Sequence, residues 1–247
     1  MVSPAKAHFL RQSAAALGVA ARPQDTAAAN QYELMLMKLA EDRRRLKDVQ
    51  SIERKADVKR QLLPEYQPWI QGVLDGDSGQ QDDVFMSVLV WTIDIGAIAD
   101  ALPLVAYAIR HQLVLPDQYK RTTACLIAEE AADIALKTGD VSHLAALQEV
   151  ESLVAGEDMP DEVRAKLHKA IGYAIRTAAG WKQGTDYKPD ATQRQGLITA
   201  KQHLERALAL HAKAGTKKDI ERLETLIKHS APAAVDAENT ANSDPNG

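Results

Sequence analysis

The 247-residue chain carries 30 Lys and Arg against 34 Asp and Glu, a formal net charge of −4, and is 45% hydrophobic but only 4% aromatic. A chain of this length can bury a sizeable core in one or two domains, and its single cysteine, Cys125, excludes an internal disulfide framework and fits a reducing compartment. No stretch approaches the roughly eighteen uninterrupted apolar residues of a membrane span, and the N-terminus lacks the contiguous apolar core of a signal peptide, so the expectation is a soluble, cytoplasmic protein without a membrane partner.

Ser3 followed by Pro4 is a helix start and predicts a short helix over residues 4–17, ending at Gly18. Gly18 to Asn30, with Arg22-Pro23 and Asp25-Thr26, reads as a flexible connector, so residues 1–29 divide into an N-terminal arm, the first seventeen residues, expected to be mobile, and this connector. From Asn30 to Leu63 there is neither Gly nor Pro, and straight-chain helix formers fill the run. It predicts one continuous helix, roughly 50 Å long at about 1.5 Å per residue. Tyr32, Leu36, Leu39, Leu46, Val49, Ile52, Ala56 and Leu63 recur at helical spacing and form an apolar stripe. Lys38, Arg43, Arg44, Arg45, Lys47, Arg54, Lys55, Lys59 and Arg60 flank it. Residues 1–60 hold twelve Lys and Arg against seven Asp and Glu, net +5, whereas the remainder is net −9. That asymmetry points to nucleic acid at the N-terminal end. The plainer alternative is a solvated helix laced with pairs such as Glu41 to Arg45.

Pro64 and Pro68 are expected to end this helix, because each lacks an amide donor and restricts the residue before it. Asp75 to Asp82 is a loop with the composition of a calcium site but without the acidic ligand at its far end. From Asp83 the pattern changes to paired helices: 84–96 with 97–113, then 117–137, 141–154, 160–179, 190–214 and 217–229. Trp91, Asp94, Gly96, Ala101, Ala108 and Pro116 fall near the packing positions of tetratricopeptide-like repeats. With no alternating strand pattern anywhere, the fold class is all-α. Residues 64–229 are expected to form a bundle or short solenoid of degenerate tetratricopeptide-like hairpins, and residues 230–247 a disordered tail.

Candidate chemistry is sparse. The chain has no Gly-rich phosphate cradle, no serine nucleophile elbow and no His-Glu-x-x-His pair, which excludes an autonomous ATPase and the common hydrolase signatures. Seven histidines are scattered and read as surface or packing residues; His203 and His211 are too far apart on one helix to share a zinc ion. Glu129, Glu130 and Asp133 fall at helical spacings of three and four and could hold Mg²⁺ for a metal-dependent nuclease, with Asp82, Asp83 and Asp94 as further possible ligands. Carboxylates on an Ala-rich helix are otherwise usually solvated.

The segments EDRRRLK, LLPEYQPW and LPDQYKRTT, within a likeness that spans roughly residues 30–135, resemble the small terminase subunit of P-two-like, cohesive-end tailed phages. The resemblance implies a protein that binds the packaging site on double-stranded phage DNA and works with a large ATPase subunit in genome cutting and packaging. The family is also described as the terminase endonuclease subunit, which implies cutting of the cohesive ends by this chain. Small terminases commonly assemble as rings, so a homo-oligomer is expected, and a ring would extend the basic patch into a continuous cationic surface. No helix-turn-helix is legible, so the long helix or the N-terminal arm is expected to reach DNA. A third reading is a helical-repeat adaptor in which residues 84–229 recruit the large subunit.

Overall fold

Ser51 interrupts the helix expected over residues 30–63. Its backbone is extended (φ −71°, ψ 131°) and its hydroxyl accepts a hydrogen bond from the Arg54 amide at 3.3 Å, the arrangement of an N-cap. The single long helix is therefore two, α2 (Thr26–Asp48) and α3 (Ile52–Gly76), joined by Val49, Gln50 and Ser51. Pro64 and Pro68 lie inside α3 and do not end it. A proline in a helix interior costs about 3 kcal/mol. Pro64 is exposed and Pro68 half-buried, one turn apart, while the opposite face buries Leu62, Leu63, Tyr66, Trp69, Ile70 and Val73. Burial at about 1.5–3 kcal/mol per large side chain outweighs the two lost donors.

The computed structural model describes residues 2–19, 26–116, 120–181 and 187–230; among these are ten α-helices, one 3-10 turn and no strand, the all-α fold that was expected. The connector at residues 20–25 and the tail beyond Ser230 lie outside the described residues. The N-terminal helix α1 (Pro4–Val19) is no mobile arm: it buries Leu10 and Ala14 against α3. It can approach because Gly72 leaves a gap. A Cβ there would sit 2.2 Å from the Arg11 carbonyl oxygen.

α2 and α3 form an antiparallel hairpin in which Tyr32 stacks on Trp69, with ring centroids 5.8 Å apart, and the Tyr66 hydroxyl donates to Asp42 at 2.6 Å. Against this hairpin lies α4 (Asp83–Asp94). Buried Asp82 accepts from the Val84 and Phe85 amides at 2.8 and 2.9 Å and from the Trp69 indole at 2.8 Å, so one carboxylate caps α4 and ties it to α3. Gly96, at φ 83°, makes the turn into α5 (Ile98–Arg110), and Phe85 meets Tyr107 with centroids 5.0 Å apart, so the hairpin expected over 84–113 forms.

The chain continues through α6 (Thr123–Thr138), a 3-10 turn at Val141–His143, α7 (Leu144–Leu153), α8 (Asp161–Ala178), α9 (Ala191–Leu210) and α10 (Lys217–His229). From α4 onward the helices are 12, 13, 16, 10, 18, 20 and 13 residues long, so no regular tetratricopeptide period is carried. A single apolar cluster runs from Leu10 of α1 to Leu223 of α10. The first three helices thus share a core with the later hairpins.

Candidate nucleic-acid interface

The basic residues gather where α2 ends and α3 begins. Arg45 and Lys47 occupy the last turn of α2, where the helix dipole favours cations by about 0.3–1 kcal/mol. Leu46 turns into the core at 8% exposure, while Ile52 across the joint is 81% exposed. Fully buried positions in α3 start only at Leu62, and Val58 is the first side chain of the helix packed against the core, so only its first turn stands clear.

The nine Lys and Arg singled out in the sequence divide into two groups. Four are held by partners. Lys38 bridges Asp42 at 2.7 Å and Glu65 at 3.0 Å; burial works against its charge, but those two carboxylates prevail and raise its pKa. Arg43 donates to the Ser87 hydroxyl of α4 at 2.6 Å, Lys59 pairs with Asp94, and Arg60 pairs with Asp57 at 2.8 Å and donates to the Ile95 carbonyl at 3.3 Å. The other five, Arg44, Arg45, Lys47, Arg54 and Lys55, meet no carboxylate among the described residues; all are exposed except half-buried Lys55. The pair imagined between Glu41 and Arg45 is not among the ion pairs of the described residues. Over residues 44–55 these five cations face only Asp48 and Glu53, net +3. Of the held group, Lys38 ties α2 to α3 while Arg43, Lys59 and Arg60 reach α4 and its C-cap; the other group stands at the joint.

The acidic candidates sit elsewhere. Glu129, Glu130 and Asp133 lie on α6, and the Lys166 ammonium of α8 is 3.1 Å from both Glu129 Oε1 and Asp133 Oδ2. Arg121 also pairs with Glu129. A lysine therefore bridges two of the carboxylates, where a divalent ion would otherwise do so. Glu130 is half-buried, and burial first, then Asp94 and Asp133, push its pKa up. Of the further ligands, Asp94 comes close enough to Glu130 to raise its pKa but is itself paired with Lys59, whereas Asp82 caps the other end of α4, about 16–18 Å of helix away. In the loop of calcium-like composition, Asp77 is taken by Arg110 and by His111 Nε2 at 2.8 Å.

Sequence reasoning missed one constellation altogether. Glu151, His168 and His203, on α7, α8 and α9, bring one ligand atom each within 4.8 Å of the others. Considered one at a time these side chains carry no signal. Their convergence depends on how three helices pack.

An all-α chain with a hairpin joint rich in unpartnered cations has the makings of a nucleic-acid-binding protein, and comparison with known families makes the class definite. The family model of the phage small terminase subunit matches residues 36–162, which run from within α2 to the start of α8, and the chain belongs to that family of DNA-packaging proteins, which act with a large terminase subunit. Among individual proteins it is 41% identical to the "Terminase, endonuclease subunit" of Escherichia phage P2 over 231 residues, 92% of this chain and 87% of that protein. It is 26% identical to the "Probable terminase, endonuclease subunit" of Haemophilus phage HP1 (strain HP1c1) over 198 residues, 78% of this chain and 69% of the relative. No solved structure matches the chain. Among the described residues no helix is long and apolar enough to cross a membrane.

Proposed function

We propose that this small terminase subunit binds the cohesive-end packaging site on double-stranded phage DNA through the α2–α3 joint, and presents that site to the large ATPase subunit in the host cytoplasm. The observation that carries this reading is the set of five cations, Arg44, Arg45, Lys47, Arg54 and Lys55, without carboxylate partners at one exposed corner. Phosphate oxygens are the natural counter-charge for such a group, and the contact would release condensed counterions. The held cations then act as positioning groups, Lys38 within the hairpin and Arg43, Lys59 and Arg60 between the hairpin and α4.

Homo-oligomerisation is part of the same proposal. Leu34 and Met37 are 56% and 68% exposed on the outer face of α2, one turn apart, and covering them with a second copy would set several joints side by side, as in a ring. The residues from 64 onward would carry the contact with the large subunit. The test is binding of cohesive-end DNA by the purified chain across a range of salt. Affinity that falls steeply with salt supports the phosphate-contact reading, and salt-insensitive binding sinks it.

A second reading follows from the names of both relatives, which say endonuclease subunit. In it, Glu129, Glu130 and Asp133 would hold Mg²⁺ and activate a water, and the Lys166 ammonium would have to move aside. Replacing all three acids by Ala should then abolish cutting by the purified protein with Mg²⁺ while DNA binding persists. Undiminished cleavage by that variant would remove these residues from the mechanism.

A further inference from the structure

Glu151, His168 and His203 stand apart from both the basic joint and the acidic face of α6. They sit on the side of the α8–α9 hairpin that α7 covers. His168 Nδ1 lies 3.1 Å from Glu151 Oε1 and 3.2 Å from His203 Nδ1, and the third edge, His203 Nδ1 to Glu151 Oε1, is 3.9 Å. The point equidistant from these three atoms is about 2.0 Å from each, close to the roughly 2.0–2.1 Å of a zinc–imidazole bond and the roughly 2.0–2.2 Å of a zinc–carboxylate bond.

Without an ion, the His168 Nδ1–H has to be shared between Glu151 and the His203 Nδ1 lone pair to serve both short contacts, and nothing serves the third. If His168 Nδ1 instead accepts from His203, it turns its lone pair on a carboxylate oxygen 3.1 Å away. A cation at the centre satisfies every edge at once. We propose that Glu151, His168 and His203 form a binding site for a divalent transition metal ion of the zinc class, tying α7, α8 and α9 together.

The donor set selects the ion. Two imidazoles and one carboxylate suit Zn²⁺, Co²⁺ or Ni²⁺, whereas Mg²⁺ and Ca²⁺ prefer a full shell of oxygens. Side-chain exposure of 15% for His168, 18% for His203 and 30% for Glu151 leaves the ligands packed yet one side open, where a water would complete a four-coordinate ion. Arg164 and Arg206 lie near enough to act on His168 through their charge. The two arginines oppose an added cation. Arg164 nevertheless commits its guanidinium to the Glu157 carbonyl at 2.7 Å, and the Glu151 carboxylate supplies the local negative charge.

The experiment uses the full chain prepared without a histidine tag, stripped with chelator, reloaded with Zn²⁺ or Co²⁺ and desalted. About one ion per chain is expected, together with the visible ligand-field absorption of four-coordinate Co²⁺. His168→Ala with His203→Ala should lower loading at least about tenfold, Glu151→Gln should weaken it with helical circular dichroism unchanged, and His211→Ala should load as the wild type does. Mg²⁺ in equal amount should not compete. Wild-type protein that retains less than about a tenth of an ion per chain, or Glu151→Gln and double-histidine variants that load in full, would overturn the proposal. Because the wild-type cobalt spectrum is read first, a variant that failed to fold would not shield the proposal from failure.

Discussion

The two antiparallel hairpins, α2–α3 and α8–α9, are both rich in Lys and Arg but use them in opposite ways. In α8 and α9 most of the cations are turned back on the protein. Lys166 bridges Glu129 and Asp133, Lys169 donates to the Ala214 carbonyl at 2.8 Å, Arg176 pairs with Asp219 at 3.0 Å while lying over the Trp181 ring at 4.0 Å, and Lys201 meets Glu205 and Glu224. The helices themselves touch: a Cβ on Gly172 would be 3.1 Å from the Ala200 carbonyl. In α2–α3, aromatic side chains fill the interior and the cations around residue 50 meet no carboxylate among the described residues. Positive charge alone does not mark an interface. What distinguishes the α2–α3 joint from most of α8–α9 is that its cations have no partner within the fold among the described residues.

The comparison breaks if charge in the joint can be reversed without loss. Replacing Arg44, Arg45 and Lys47 by Glu should lower affinity for cohesive-end DNA on the order of 100-fold or more at low salt, read by fluorescence anisotropy, with little change in Tm. Replacing Lys169 and Lys201 by Glu should leave affinity within a few-fold and lower the Tm instead. Equal losses of affinity from the two sets would mean that the overall field, not the joint, holds the DNA.

The close packing of α8 on α9 makes a second contrast. Gly172→Ala would press a methyl group to 2.7 Å from Leu204 Cδ2, and overpacking of this kind costs about 1–3 kcal/mol. Chemical denaturation should show that loss. Gly72→Ala, aimed at the Arg11 carbonyl backbone rather than a movable side chain, should cost at least as much and loosen α1 from α3. DNA affinity per folded molecule should change in neither variant, because neither glycine is near the joint in the chain or in its packing.

Asp82 tests what supports the α2–α3 side. Asp82→Ala removes the cap of α4 and the acceptor for Trp69, for an expected loss of about 2 kcal/mol. Asp82→Asn keeps the oxygen that caps α4 but turns an amide donor toward the Trp69 indole N–H, and should cost less than Asp82→Ala. Burial raises the pKa of the Asp82 carboxyl above its ordinary value, ahead of the amide and indole hydrogen bonds that lower it. Its folded form therefore holds a proton more readily than its unfolded form, so this group's contribution to stability rises as pH falls through the folded pKa and levels off below the unfolded one. The difference in stability between wild type and Asp82→Asn should move in favour of the wild type as pH is lowered through the carboxylate range; a pH-independent difference would contradict the burial argument.

The composition was enough for the all-α class, and the Gly and Pro punctuation placed most helices after Asp83 close to where they lie. The largest misreadings share one cause, tertiary packing overriding local preference. Pro64 and Pro68 are strong breakers in isolation, yet α3 runs through both because Tyr66, Trp69 and Ile70 are buried on its other face. The break that does occur, at Val49-Gln50-Ser51, had a faint local signal: a Ser that can cap, with Glu53 in the turn after it. The N-terminal helix looked detachable because the receiving surface, opened by Gly72, lies some sixty residues further along the chain. Of the candidate interface, the residue types and their clustering were legible, but the division into held and outward-facing cations was not. It depends on Ser87, Asp94 and the Ile95 carbonyl, which reach the basic stretch only through the packing of α4. The meeting of Glu151, His168 and His203 lay further out of reach, since three helices must be placed before it exists.

The finest form of the contrast lies within α3, between Arg54 and Lys59. They are five residues apart and alike in charge. Arg54 is exposed and without a carboxylate partner among the described residues, whereas Lys59 is half-buried and paired with Asp94. If the cations of the joint neutralise phosphates, the slope of log K against log salt should be reduced by about 1 in Arg54→Ala, and its affinity should drop a few-fold at low salt across all DNA sequences. Lys59→Ala should leave the slope unchanged and lower stability by up to about 1 kcal/mol, since its partner is only partly exposed and loses its counter-charge. A Lys59 variant that flattened the salt slope as much as Arg54→Ala would show that Lys59 exchanges Asp94 for phosphate when DNA arrives. The boundary of the interface would then move up α3, and the held cations would become a reserve that DNA recruits rather than fixed supports.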